Sequence, residues 1–98
     1  MSEENRLILA VDDDEDALAM VKTILTNSEF TVITATNGKE ALKQLQTIEP
    51  ALVILDIMMP EMNGYEVVEL MKADPKMQNL PVMMLTAKAT DELSLIHI

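Results

Sequence analysis

No cysteine occurs anywhere in the chain, which excludes disulfides and any thiolate-based metal or redox site. Basic side chains are scarce: 7 Lys and Arg stand against 17 Asp and Glu, a formal net charge of −10. That balance argues against a surface built to bind a phosphate backbone, so no direct nucleic-acid contact is expected. Only 2 glycines are present. The sequence shows no Gly-rich phosphate loop and no Ser/His/Asp grouping, which leaves nucleotide-binding and hydrolase readings with little support. Long apolar runs are missing too. The longest, Leu7–Val11 and Ala51–Leu55, fall far short of a membrane span, and the start MSEENR lacks the basic flank and apolar stretch of a signal peptide. No membrane association and a cytoplasmic location are therefore expected.

What remains fits one small domain: 98 residues, 49% of them hydrophobic, suffice for a core with little surplus. Leu7–Val11 is continuously apolar, the pattern of a strand buried on both faces. A helix opens at Asp14, with Leu18, Val21, Ile24 and Leu25 at helical spacing until Asn27-Ser28 interrupts. Phe30–Ala35 reads as a second strand. The turn at 36–38 opens a second helix, whose Ala41, Leu42, Leu45 and Ile48 line one face before Pro50 stops it. Ala51–Leu55 is a third strand, again read as buried on both faces. Gly64 leads a third helix carrying Val67, Leu70 and Met71, and Val82–Leu85 is a fourth strand. The alternation β-α-β-α-β-α-β predicts an α/β, doubly wound parallel sheet covered by helices on both faces. In such sheets the functional crevice lies beyond the carboxyl ends of the strands, where strand order reverses.

Polar residues stand where three of these strands end: Asp12-Asp13, Asp56 and Thr86. Helix capping accounts for Asp14, Glu15 and Asp16, but less well for the pair touching the strand. Carboxylates gathered at one crevice raise one another's pKa unless a cation neutralises them, and an all-oxygen donor set suits Mg2+. A carboxylate beside Mg2+ can attack phosphorus to give an acyl phosphate. A nearby hydroxyl, for which Thr86 is placed, can then donate to the product.

The stretches ILAVDDDEDA, LVILDIMMPEMNGYEV and VMMLTAKA, in this order and spacing, resemble the receiver domain of two-component response regulators, a flavodoxin-like phosphorylation module. The resemblance spans residues 6–92. It implies Asp56 as phosphoacceptor, Asp13 as a direct Mg2+ ligand, Asp12 as a ligand through water, the Met58 backbone carbonyl as a further ligand, and Thr86 as the switch hydroxyl. Ala87 would leave the acceptor accessible, and Pro60 and Gly64 would shape the following loop and helix start. The implied partner is a sensor histidine kinase or phosphotransfer protein, with an output domain or a second receiver downstream. The alternative is a receiver-like interaction domain that is not phosphorylated, this chain being inactive. A phosphatase with an aspartyl nucleophile is disfavoured, because Met58 and not an acid stands two residues past Asp56.

The resemblance also implies a fifth strand ending in lysine and bearing an aromatic switch residue, and neither occurs before Ile98. The sheet is thus expected to be truncated after its fourth strand, leaving an apolar edge that invites association. Residues 93–98, LSLIHI, are read as a non-native tail, because a transposon-adapter sequence in common use encodes these same six residues when read in frame. Residues 1–92 would then be a partial receiver domain, and His97, the only histidine, carries no role. The nine methionines read as core filler.

Overall fold

A computed structural model describes residues 5–86 and 94–97. Its elements run β1 (Leu7–Val11), α1 (Glu15–Asn27), β2 (Thr31–Ala35), α2 (Gly38–Gln44), β3 (Leu52–Asp56), α3 (Gly64–Lys72), β4 (Val82–Thr86) and β5 (Ser94–His97). The sheet order is β2-β1-β3-β4-β5. The first four strands pair parallel throughout, as the alternation of elements requires. β5 was not expected: it pairs antiparallel with β4, Thr86 opposite Ser94 and Met83 opposite His97. The edge of β4 is therefore paired rather than open, because the aliphatic tail satisfies the ladder groups that an edge strand leaves free.

Side chains alternate across each strand, and the two sheet faces have unequal cores. On one face Leu9, Val11, Val53, Leu55 and Met84 pack with Ala41 and Leu45 of the α2 region and with Val67, Val68 and Met71 of α3. On the other, α1 covers Ala10 and Val32 through Leu18, Val21 and Leu25. Strand β3 is accordingly not buried on both faces as its apolar run predicts. Val53 and Leu55 are buried, whereas Leu52 and Ile54 are only half-buried. The two helix stripes are also narrower than read. Ile24 is 57% and Leu70 47% exposed, each lying beside the buried positions of its helix rather than among them.

Local chemistry sets the helix ends. The Asp14 carboxylate caps α1, accepting from the Asp16 N–H at 2.9 Å and the Ala17 N–H at 3.4 Å. Its C-terminus closes with Glu29 N–H donating to the Thr26 carbonyl and Phe30 N–H to the Leu25 carbonyl, the paired bonds of a Schellman motif. Glu29 takes φ 72° there, a conformation usually left to glycine. Helix α2 ends at Gln44 rather than running to Pro50. The Gln46 and Thr47 N–H groups reach back three residues, and the Thr47 hydroxyl donates to the Gln44 carbonyl at 3.1 Å, so a tight turn replaces the next helical turn. Asn63 and Glu66 form a reciprocal capping box at the start of α3.

Candidate phosphoacceptor and metal site

Strand order reverses between β1 and β3: the chain leaves β1 to place β2 on one side and β3 on the other. The carboxyl ends of these two strands flank the crevice that such a reversal opens. Asp12 follows β1 directly, its N–H extending the ladder to the Ala35 carbonyl at 3.1 Å. Asp56 closes β3 beside Leu85 of β4, and the next N–H, that of Ile57, donates to the Leu85 carbonyl. Asp12, Asp13 and Asp56 each offer a carboxylate oxygen within 4.8 Å of the others. Sequence positions more than forty residues apart thus meet in one cluster of three acids.

The three sit at different depths: Asp56 is buried, Asp12 half-buried and Asp13 exposed. Burial pushes the Asp12 carboxyl up to about 6, with the Asp14 N–H pulling the other way and the charges of Asp56 and Asp13 adding to the rise. Asp56 is also raised, first by burial and then by the charge of Asp13, against the opposing pull of the Met58 N–H. That N–H donates to Asp56 Oδ1 at 3.3 Å, and the Asp14 N–H donates to Asp12 Oδ1 at 2.9 Å. Among the described residues no basic side chain enters the hydrogen bonds of this cluster. An all-oxygen, closely spaced and under-neutralised donor set fits a small hard cation.

Gly64 holds the loop after Asp56 against the sheet. Its N–H donates to the Ile57 carbonyl at 3.0 Å, and a Cβ at this position would lie 2.7 Å from the Asp56 carbonyl oxygen and 2.9 Å from the Ile57 Cα. Only a residue without a side chain allows α3 to start this close to β3. Within that loop Glu61 takes φ 70°. Sequence reasoning missed the Met58 N–H as a partner of Asp56, having assigned that residue only a carbonyl role. Backbone donors carry no side-chain signature, so nothing in the sequence marks them.

Thr86 ends β4, at the same end of the sheet as Asp56. Its side chain lies outside the described part of the structure, and Ala87 lies outside the described residues altogether.

Residues 8–96 match the family model of the response regulator receiver domain. The chain belongs to the response regulator receiver family. It is 42% identical over 84 residues to the alkaline phosphatase synthesis transcriptional regulatory protein PhoP of Bacillus subtilis, covering 86% of this chain and 34% of that protein. It is 45% identical over 84 residues to the transcriptional regulatory protein CpxR homolog of Haemophilus influenzae, covering 86% and 35%. This receiver chain thus spans about a third of the length of both curated relatives. Among solved structures, the N-terminal domain of a response regulator receiver protein from Methanoculleus marisnigri superposes with a TM-score of 0.82 at 43% identity, over 86% of this chain and 68% of that one. The response regulator TrrA of Thermotoga maritima, solved in complex with Mg2+-BeF, superposes with a TM-score of 0.79 at 36% identity, over 86% and 71%. Receiver domains are signalling domains rather than enzymes in the ordinary sense; they interact with histidine kinases and output domains and bind Mg2+ at an acidic pocket. Asp12, Asp13 and Asp56 form an acidic cluster close enough that it could hold a metal ion. Among the described residues no helix is long and apolar enough to cross a membrane.

Proposed function

We propose that Asp56 accepts a phosphoryl group from a phosphohistidine on a sensor histidine kinase or phosphotransfer protein, and that the change redirects contacts with an output domain or a second receiver. The observation that carries this reading is the position of Asp56 as the buried member of a three-carboxylate cluster at converging strand ends. Mg2+ would be held by Asp13 and Asp56 directly, by Asp12 through water and by the Met58 carbonyl. Bound there, the cation would neutralise the carboxylates and offset charge on the transferring phosphoryl oxygens.

The chain's own residues perform the rest. The Met58 N–H fixes Oδ1 of Asp56, leaving the second oxygen to form the O–P bond while the P–N bond to the donor imidazole breaks. Burial of Asp56 limits the water that competes for the phosphoryl group, and the Thr86 hydroxyl would donate to it once transferred. Hydrolysis of the acyl phosphate returns the carboxylate. A cytoplasmic location accords with a kinase donor of this kind.

Incubation with a small phosphodonor and Mg2+, followed by mass spectrometry, tests the reading. A single phosphate mapped to Asp56 and absent from Asp56→Asn is expected. Phosphate elsewhere, or equal labelling of the variant, refutes it, and a fully unlabelled folded chain favours a non-phosphorylated interaction domain.

A further inference from the structure

On the outer face of α3 lies a groove of about 420 Å3 lined by Glu61, Met62, Glu66, Glu69 and Leu70. None of these residues belongs to the strand-end cluster. Glu66, Glu69 and Leu70 stand three and four residues apart, so helix geometry sets them on one face. Met62 packs on the main core from above, and Leu70 is left 47% exposed. The groove therefore has an apolar floor of two side chains and a rim of three carboxylates, and among the described residues no Lys or Arg lines it.

We propose that this groove docks a basic amphipathic segment of a partner protein, with an apolar side chain seated on Met62 and Leu70 and Lys or Arg facing Glu61, Glu66 and Glu69. Charge selects the occupant. A second copy of this chain, carrying −10, a nucleic acid or an anionic lipid surface would each meet repulsion at the rim. The floor asks for more than positive charge, because seating an apolar side chain there removes Leu70 and its own surface from water. A helix whose apolar residues recur at three- and four-residue spacing satisfies floor and rim together. This surface goes beyond the phosphoryl-transfer reading and does not depend on it.

The test titrates the whole 98-residue chain into a fluorescein-labelled helical Lys/Leu peptide of about 18 residues, with a Glu/Leu peptide and an oligo-lysine of equal length as comparisons. Fluorescence anisotropy reads affinity and NMR maps the surface. No phosphodonor is present, so the outcome is separable from the fate of Asp56. The Lys/Leu peptide should bind and shift the Met62 and Leu70 resonances, and Leu70→Ser and Glu69→Lys should each weaken it at least about tenfold. Both altered residues are exposed, and thermal melts confirm that the variants fold. Oligo-lysine binding as tightly as Lys/Leu, unchanged affinity in Leu70→Ser, resonance shifts centred on residues 14–16, or no binding would overturn the proposal.

Discussion

Replacing Asp12 by Asn should make the metal-free protein more stable, although it alters a residue at the centre of the candidate site. Asn has the same shape, and its Oδ1 can still accept the Asp14 N–H at 2.9 Å, so the substitution removes charge and little else. The folded-state pKa of Asp12 is raised from 3.8 to about 6. Between those values the folded chain holds more protons than the unfolded one, so stability falls as pH climbs through the window and is regained on acidification. Two pK units correspond to about 3 kcal/mol as an upper bound. Asp12 is only half-buried, and solvent screening brings the expected gain down to about 1 kcal/mol. For a domain of this size that raises Tm by roughly 4–8 °C. The assay is a pair of thermal melts in EDTA, at pH 7 and near pH 4.5. The variant should melt higher at pH 7, and the gap should close at the lower pH, where wild-type Asp12 is already protonated. Saturating Mg2+ should also narrow it, since a cation at 100 times its Kd adds about 2.7 kcal/mol to the wild type and less to a site lacking one carboxylate. A variant that melts at or below wild type in EDTA at pH 7, or a gap that ignores pH, would refute the electrostatic account.

Glu29→Gly should stabilise by about 1 kcal/mol, since glycine adopts the left-handed φ of 72° without the Cβ clash; urea melts at pH 7 measure it, and a loss of stability would point to an unseen role for the Glu29 side chain. Gly64→Ala should cost about 1–3 kcal/mol by overpacking and should lower phosphate labelling of Asp56, because the added methyl meets the backbone of Asp56 and Ile57; unchanged labelling and stability would show that the loop can yield.

The parallel part of the sheet and its three acids were legible because both depend on sharp local contrasts. A run such as Leu7–Val11 followed at once by Asp12 marks a strand and its carboxyl end in one stretch of sequence, and Leu52–Asp56 repeats the pattern. Ile24 and Leu70 were misread for the opposite reason. Helical spacing alone cannot say how wide a stripe the sheet will cover, and both side chains stay outside the core clusters and exposed. The left-handed turns at Glu29 and Glu61 escaped notice because neither uses the glycine that usually advertises them. Pairing of β5 with β4 was hidden by a different limit: a short aliphatic run states its propensity but not its direction or neighbour.

The sheet order has a consequence for synthesis on the ribosome. Strand β1 is made first yet lies inside the sheet between β2 and β3, and its second neighbour, β3, begins only at Leu52. At roughly 5–20 residues per second, the nascent chain spends seconds with β1, α1 and β2 made and one side of β1 still unpaired. During that interval Asp12 and Asp13 exist without Asp56, so a ribosome-bound chain that has not reached Asp56 cannot gather the three carboxylates.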